Sequence, residues 1–215
     1  MEVYCLVNKP VPSNTYVLFD KNINNSCVII DPGTKECTEL FKLLSKYDLS
    51  PSYILLTHEH FDHIWGVNTI KERYNSKVIC SKKCAEKIGI PQNYYNLLYF
   101  GSKEDYSINM VDAFVEDLHC GLVINTLKFN FVFTPGHSSS SICISINNIL
   151  FTGDTIMKGY KPLILKRHEG SKSEYKESVL KVFNDFQPDT IIYPGHGDKF
   201  LLKEVEQYYK DYFGI

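Results

Sequence analysis

A histidine-rich loop constrains this chain of 215 residues more than any other feature. Residues 54–56 are apolar and predict a buried strand, and His58, His60, Asp62 and His63 follow directly. Imidazole nitrogens and carboxylate oxygens are the ligands that a zinc-like cation takes in an open, catalytic site. Because side chains two positions apart on an extended chain point the same way, His58 and His60 face one side, whereas Asp62 and His63 follow the turn. One short loop could therefore serve two metal ions.

Three later turns carry residues of the same ligand type. Each turn follows a short apolar run and contains glycine, in the sequences PGH, GD and PGHG. Glycine and proline favour sharp changes of direction and let the backbone approach closely. Four strand ends are therefore predicted to deliver seven candidate ligands. These ligands are His58, His60, Asp62, His63, His137, Asp154 and His196.

Length and composition narrow the class of protein. The chain has 44% hydrophobic residues and is long enough for one domain with a sizeable core. Its net charge of −2 gives no long-range attraction for nucleic acid, and no apolar run approaches the roughly 20 residues of a membrane span. The N-terminus lacks the basic start and apolar stretch of a signal peptide. Together with an odd number of scattered cysteines, these features predict a cytoplasmic protein with reduced thiols.

The periodicity of apolar residues predicts a mixed α/β (α+β) chain. Strands are predicted at 3–8, 15–20, 26–31, 53–57, 78–80, 122–133, 141–146, 149–152 and 189–193. Helices are predicted at 36–46, from Ile64 to Tyr74, and at 82–88, 172–185 and 201–212. Residues 90–120 show no clear period, and we expect either a lid over the site or a partly ordered excursion. Strand–loop ligands in both halves of the chain suit two sheets packed face to face with helices outside.

The motifs HxHxDH, GH, GD and PGHG, in this order, resemble those of the metallo-β-lactamase fold hydrolases, and within them the glyoxalase II-like branch. The resemblance extends from residues 14–18, similar to the family's first hairpin, to the PGHG loop. It implies a four-layer αββα sandwich of two mixed sheets, in a single domain of residues 1–215. Glyoxalase II enzymes carry a C-terminal helical domain that helps to bind glutathione, and we expect no such separate domain in this chain.

The resemblance also implies roles for the candidate ligands. One metal ion would be bound by His58, His60 and His137, and the other by Asp62, His63 and His196. Asp154 would bridge the two ions, because a carboxylate has two oxygens to share. The implied cofactors are two divalent ions, with zinc favoured over iron or manganese. Asp62 and Asp154 would then be the catalytic residues, with Asp62 also orienting the attacking hydroxide.

The implied activity is hydrolysis of a thioester or a related ester by a hydroxide that bridges two metal ions. A thiolate is a good leaving group, which favours the thioester, but a lactone or a small phosphodiester is accessible to the same hydroxide. Two alternatives belong to other classes. One is a mono-iron persulfide dioxygenase that uses a subset of these ligands, and the other is a non-catalytic binding module. The predicted partner is a small-molecule substrate, with neither nucleic acid nor membrane, and the sequence does not predict an oligomeric state.

Three residues that follow Asp154 are candidates for substrate binding. Lys158, Tyr160 and Lys161 lie in a basic stretch after the GD turn and are predicted to bind a substrate anion. The alternative is a basic loop that is simply solvated. The stretch also lacks the glycine-and-arginine signature usual at this point in glyoxalase II enzymes, so glutathione recognition does not follow from the resemblance.

Other polar residues near the motifs are interpreted as structural. Glu59 alternates with the ligands and is predicted to point the other way. Serines 138–141 are predicted to begin the next strand and to satisfy backbone groups of the turn. His119 and His168 fall outside every motif and are interpreted as ordinary surface histidines.

Overall fold

The computed structural model describes residues 1–22, 24–108, 110–118 and 121–214, apart from the side chain of Phe100. The chain forms two compact units, Met1–Asp117 and Leu118–Ile215. Each unit contains one mixed six-stranded sheet with helices, as the sequence predicts. That the two units form a single domain stays a prediction.

Six strands form the sheet of the first unit, in the order of the chain. They are β1 (Glu2–Val7), β2 (Asn14–Phe19), β3 (Ser26–Ile30), β4 (Ser50–Leu55), β5 (Lys77–Cys80) and β6 (Ala113–Phe114). β1 to β3 pair antiparallel, and β3 to β6 pair parallel. All residues of β2 are buried, in keeping with its position inside the sheet.

Five helices connect these strands. They are α1 (Thr38–Lys46), α2 (Phe61–Ile64), α3 (Val67–Tyr74), α4 (Lys82–Ile88) and α5 (Tyr94–Phe100). Parallel neighbours need a crossover connection, and α1 supplies it between β3 and β4. Leu40 and Leu44 of α1, and Val67 and Ile70 of α3, lie at helical spacing and are buried in the core of this unit.

The sheet of the second unit runs in the order β12-β11-β10-β9-β8-β7. Its strands are β7 (Leu122–Ile124), β8 (Leu127–Phe133), β9 (Ile142–Ile146), β10 (Ile149–Gly153), β11 (Ile191–Pro194) and β12 (Phe200–Leu201). β10 and β11 pair parallel, and the other neighbours pair antiparallel. Its helices are α6 (Lys172–Asp185) and α7 (Glu206–Phe213).

One face of α6 builds much of the core of the second unit. Tyr175, Val179 and Val182 lie four and three residues apart and are fully buried. The helix begins at a side-chain cap, in which Ser171 Oγ accepts a hydrogen bond from the Glu174 backbone N–H at 3.3 Å. The periodicity and the cap together explain why the bounds predicted for this helix, 172–185, are those observed.

The prediction of one helix from Ile64 to Tyr74 is wrong. The chain forms α2 and α3 instead, with a break at Gly66. The Gly66 N–H donates to the Pro32 carbonyl at 2.7 Å, and a Cβ at this position would lie 2.7 Å from the Thr34 carbonyl oxygen. This close approach of two backbones, which requires glycine, interrupts the helix.

Three other segments differ from the prediction. The single strand predicted at 122–133 is a hairpin of two antiparallel strands, Leu122–Ile124 and Leu127–Phe133, with a turn at Asn125. Residues 90–120 contain the regular helix α5 and the short strand β6, and His119 and Cys120 of this segment lie outside the described residues. The closing helix begins as a 3₁₀ turn, Leu202–Glu204, before α7. Within the described parts of the chain, no helix is long and apolar enough to cross a membrane.

Candidate metal centre

The histidine loop of the first unit begins where β4 ends and continues into α2. His58, His60, Asp62 and His63 are all buried, and none is more than 7% exposed. Burying a polar side chain costs free energy unless it finds a hydrogen-bond partner or a metal ion. Four buried polar side chains in one loop therefore indicate a site in which hydrogen bonds or a metal ion replace the lost contacts with water.

The three imidazole rings of this loop converge. The ring centroid of His58 lies 4.5 Å from that of His60 and 4.3 Å from that of His63. Asp62 Oδ2 lies 3.7 Å from His63 Nε2, which is too far for a good hydrogen bond. Ligand bonds of about 2.1 Å at a tetrahedral angle place two ligand atoms roughly 3.4 Å apart, so these side chains are spaced as neighbouring ligands are.

Asp31 orients this loop through a buried carboxylate. Asp31 accepts hydrogen bonds from Thr57 N at 2.8 Å, Thr57 Oγ1 at 2.6 Å and His63 Nδ1 at 2.9 Å. Because the Thr57 hydroxyl gives its hydrogen to Asp31, it accepts one from His58 Nδ1, 3.0 Å away. The neutral rings of His58 and His63 then carry the proton on Nδ1 and the lone pair on Nε2. This tautomer is the one that a ligand bound through Nε2 requires.

Asp31 is a functional residue that the sequence analysis missed. In the sequence it is simply the first residue of an Asp-Pro-Gly turn after β3. The available signal was topological, because β3 and β4 pair in parallel and the carboxyl ends of parallel strands meet at one edge of a sheet. A carboxylate after β3 is therefore placed beside the residues that follow β4.

The turn between β1 and β2 fixes the backbone of Asp62. Ser13 Oγ donates a hydrogen bond to the Asp62 carbonyl, and Asn8 Nδ2 donates to Ser13 Oγ at 2.9 Å. Gly33 lies against the same carbonyl, and a Cβ at this position would overlap the oxygen. The backbone of the loop is thus held from two sides, and one of these contacts admits only glycine.

Glu59 is buried within the loop but pairs with α4. Its Oε1 lies 3.1 Å from Lys87 Nζ, and its side chain is 2% exposed. Buried ion pairs add little net stability compared with apolar packing, but removing one partner is costly. The contact agrees with a structural role for Glu59.

The second unit brings His137, Asp154 and His196 together. They follow β8, β10 and β11, which run in one direction, because β8 and β10 both pair antiparallel with β9 and β10 pairs parallel with β11. The carboxyl ends of these strands therefore share one edge of the sheet. Asp154 Oδ2 lies 3.4 Å from His137 Nε2 and 3.5 Å from His196 Nε2. One carboxylate thus faces two imidazoles at the spacing of ligands around a cation.

Buried hydrogen bonds orient this second cluster. His137 Nδ1 donates to the Leu163 carbonyl at 2.7 Å, which leaves the lone pair on Nε2. The Tyr175 hydroxyl donates to the Asp154 carbonyl at 2.7 Å. Burial raises the pKa of Tyr175 well above its usual range, so the hydroxyl keeps the proton that it donates. The donor set of each cluster, imidazole nitrogen and carboxylate oxygen, fits a zinc-like or iron-like divalent cation.

Gly136, in the turn before His137, is a position at which a small change should have a large effect. Its φ is +136°, and a Cβ there would overlap the backbone of Tyr175 on α6. We expect Gly136→Ala to lower the free energy of unfolding by about 3 kcal/mol or more, as measured by urea denaturation.

Gly159→Ala is the matched control for this variant. Gly159 also has a positive φ, +82°, but among the described residues, its chain neighbours apart, no atom lies within 4 Å of the position of its Cβ. Gly159→Ala should therefore lower the free energy of unfolding only by the cost of a side chain at positive φ, about 1 kcal/mol. Equal losses for the two variants would show that the close approach to Tyr175 does not limit the residue at position 136.

One of the three predicted substrate-binding residues lies beside a candidate ligand. The ring centroid of Tyr160 is 6.0 Å from that of His196. Lys158 Nζ lies 2.6 Å from Glu204 Oε2, and Lys161 is exposed. Substrate binding by these residues stays a prediction, with Tyr160 the best placed.

The residues interpreted as structural have different outcomes. Ser138 and Ser141 form a turn after His137, in which Ser138 N donates to Ser141 Oγ at 3.3 Å, as predicted. The serines do not begin the next strand, because β9 starts at Ile142. His168 is half-buried, with its Nε2 atom shielded from solvent, so its interpretation as an ordinary surface histidine is wrong. The segment that carries His168 is tied to the turn after His137, because Ser139 N donates to the His168 carbonyl at 3.2 Å. His119 lies outside the described residues.

Comparison with known proteins shows one family. The model of the metallo-beta-lactamase superfamily matches residues 8–196, a range that includes all the candidate ligands. A curated relative, the hydroxyacylglutathione hydrolase of Pectobacterium carotovorum subsp. carotovorum, is 29% identical over 191 residues, which are 89% of this chain. The match spans 65% of that relative, so the chain corresponds to less than two thirds of its length.

Solved structures show the same fold. BLEG-1, a B3 metallo-beta-lactamase, matches with a TM-score of 0.76 and 25% identity, over 96% of this chain and 97% of its own. A protein solved in a di-iron-bound form matches with a TM-score of 0.75 and 23% identity, over 94% of this chain and 96% of its own. The fold predicted from the motifs is therefore confirmed.

Proposed function

The chain belongs to the metallo-beta-lactamase superfamily of metallo-hydrolases, and on that premise we propose that it hydrolyses a thioester or a related ester with the help of two divalent metal ions. The observation that carries the proposal is the position of the Asp154 carboxylate, which faces His137 and His196 at 3.4 and 3.5 Å. The relative named as a hydroxyacylglutathione hydrolase, a thioester-cleaving enzyme by its name, supports the choice of substrate class.

We propose that the seven candidate ligands bind two metal ions, with the assignment that the family resemblance implies. The first ion would take His58, His60 and His137, the second would take Asp62, His63 and His196, and Asp154 would serve both. When bound, such ions would lower the pKa of water from 15.7 to about 7 and would polarise the substrate carbonyl.

The residues of this chain prepare that chemistry before any substrate arrives. Asp31 and Thr57 fix the tautomers of His63 and His58, and the Leu163 carbonyl fixes that of His137. Asp62, whose backbone is held by Ser13, would accept a hydrogen bond from the attacking water and orient it. Ligands that are already oriented need no rearrangement during the reaction. Electrostatic preorganisation of this kind usually makes the largest contribution to rate enhancement.

Zinc is the metal that we propose, with iron as the alternative. Neutral imidazoles and carboxylates suit both metals, and affinity alone separates them little. The related protein in a di-iron-bound form shows that this fold accommodates iron. Zinc needs no redox partner, and hydrolysis requires only a Lewis acid.

The direct test is an activity panel with the zinc-loaded protein. A glutathione thioester, a homoserine lactone and a phosphodiester would be offered at equal concentration, and the product would be followed for each. We expect thiol release from the thioester to be fastest and to stop when the metal is chelated. Cleavage of only the lactone or the phosphodiester would contradict the thioester assignment. Oxygen consumption by the iron-loaded protein with a persulfide, without thioester hydrolysis, would contradict a hydrolase.

Removing the metal should also destabilise the fold. A ligand that binds only the native state stabilises it by about 2.7 kcal/mol when present at 100 times its Kd. For a chain of this size, that corresponds to a fall in Tm of about 5–10 °C on chelation. The measurement is a thermal melt of the metal-loaded protein, with and without chelator. Zinc returned in excess should restore the Tm, and an unchanged Tm in a protein that has lost its metal would contradict a structural contribution of the ions.

A further inference from the structure

An aromatic surface continues from the histidine loop onto α5. Phe61 lies between His60 and Asp62 in the sequence, and its ring stacks on Tyr95, with centroids 3.9 Å apart and planes 16° apart. The same ring stacks on Tyr99, at 5.2 Å and 23°. We call these three side chains, Phe61, Tyr95 and Tyr99, the aromatic wall. Near-parallel rings in contact pack as one apolar cluster.

The aromatic wall is anchored from behind. Trp65 is buried and packs edge-to-face with Phe61, with centroids 5.2 Å apart and planes at 79°. The segment that carries α5 is closed at its base by two backbone hydrogen bonds between Gln92 and Tyr106, at 3.1 and 2.9 Å. The Tyr106 hydroxyl donates to the Ile64 carbonyl of α2 at 2.9 Å. These contacts hold the aromatic wall in place on the first unit.

The surface that extends the wall is apolar and exposed. Tyr94, Leu97 and Leu98 of α5 are 53%, 51% and 57% exposed, and Tyr99 is 40% exposed. The sequence of α5, YYNLLYF, contains no charged residue. Leu97 and Leu98 lie three and four residues after Tyr94, so the three side chains share one face of the helix. A contiguous exposed apolar surface marks a site of interaction, whereas single exposed apolar residues do not.

We infer that the aromatic wall binds an apolar part of the substrate, preferably an aromatic ring, beside the metal ligands of the first unit. Phe61 lies between the candidate ligands His60 and Asp62 in the sequence, so the wall begins within one residue of the ligands of the first unit. α5 offers no charge to pair with a carboxylate or an ammonium group, which disfavours a charged moiety at this position. The inference rests on the proposed function and narrows it to esters and thioesters with an aryl or alkyl acyl group.

The first experiment compares two thioesters that share one leaving group. Acetyl and phenylacetyl thioesters of N-acetylcysteamine would be assayed with the metal-loaded protein, and the ratio of kcat/KM for phenylacetyl over acetyl would be determined. We expect the wild-type ratio to exceed about ten, and Tyr95→Ala to lower it by about tenfold, because the ring loses its stacking partner. Tyr95→Phe keeps the ring and should keep the ratio.

Truncation of another exposed apolar residue provides the matched control. Val123 on β7 is 62% exposed, much as Leu98 is, but it lies in the second unit and outside the wall and its extension. Val123→Ala should leave the ratio at its wild-type value, whereas Leu98→Ala should lower it. Equal effects of the two truncations, or a ratio that Tyr95→Ala does not change, would overturn the inference.

A binding measurement separates this inference from the proposed function. Trp65 is the single tryptophan of the chain and contacts the wall, so its emission reports on a ligand bound there. The probe is the thioether N-acetyl-S-(2-phenylethyl)cysteamine, which has no carbonyl to hydrolyse. We expect saturable quenching in the wild type and about tenfold weaker binding in Tyr95→Ala. Binding without turnover of any thioester would support the wall and defeat the proposed function.

Two further outcomes would count against the wall. Turnover of both thioesters without binding of the probe would support the hydrolase and overturn the wall. A change of oligomeric state in Leu98→Ala, measured by light scattering, with an unchanged substrate ratio, would also overturn it. In that case a second copy of the chain would be the partner of α5.

Discussion

Replacing Asp154 with alanine is expected to remove at least one of two bound metal ions and to lower kcat by about 10³-fold or more. The Asp154 carboxylate faces both His137 and His196 within the second unit, at 3.4 and 3.5 Å. Without this carboxylate, the two imidazoles lose the acidic side chain between them that would help them to bind a cation. The measurement is metal content per chain by elemental analysis, together with the rate of thioester hydrolysis in the same sample.

Asp198→Ala is the control for this variant. Asp198 is an exposed carboxylate two residues after His196, so its removal changes the charge of the same loop without touching the cluster. Both metal content and rate should remain at the wild-type level. Full activity and two ions in Asp154→Ala would rule out the bridging role, whatever the result for Asp198.

Replacing Asp31 with alanine should have the second largest effect, and it should appear in stability as well as in metal binding. The Asp31 carboxylate is 2% exposed and accepts three hydrogen bonds, two from Thr57 and one from His63. Its loss leaves three buried donors without an acceptor, at a cost of about 3–5 kcal/mol in the free energy of unfolding. The tautomer of His63 is then no longer fixed, and zinc affinity should fall by about 10–100-fold.

Asp48→Ala isolates the part of this loss that belongs to the backbone. Asp31 and Asp48 have nearly the same positive φ, 51° and 52°, but Asp48 is exposed. Urea denaturation of the metal-free variants and competition with a zinc chelator give the two quantities. If Asp31→Ala were no more destabilised than Asp48→Ala, the buried hydrogen bonds of Asp31 would have no part in holding the loop.

The ligands were predictable from sequence because each one follows a strand. A strand end, a glycine turn and a ligand-type side chain are all local features, and His137, Asp154 and His196 share them. Asp31 has the same local features, but its position at the start of an Asp-Pro-Gly turn already explains why an aspartate stands there. The sequence alone therefore offered no reason to assign it a further role. Its role depends on the parallel pairing of β3 with β4, which residues far apart in the chain determine.

The helix α5, which carries part of the aromatic wall, could not be predicted from local sequence features either. In α5 the apolar residues Leu97 and Leu98 are exposed, whereas the polar residue Asn96 is buried, so no amphipathic period marks this helix in the sequence. Its position depends on the stacking of Tyr95 on Phe61, a residue 34 positions earlier in the chain. Tertiary contacts of this kind override the local pattern. In contrast, α6 has both a period and a side-chain cap, and its bounds were predicted to the residue.

The most direct test of the central claim is the metal content of the purified wild-type protein, measured with glutathione thioester hydrolysis in the same sample. A binuclear hydrolase predicts about two zinc ions, or a mixture of zinc and iron, per chain, with turnover that chelation abolishes. A single iron per chain, in a protein that consumes oxygen and leaves the thioester intact, would contradict it.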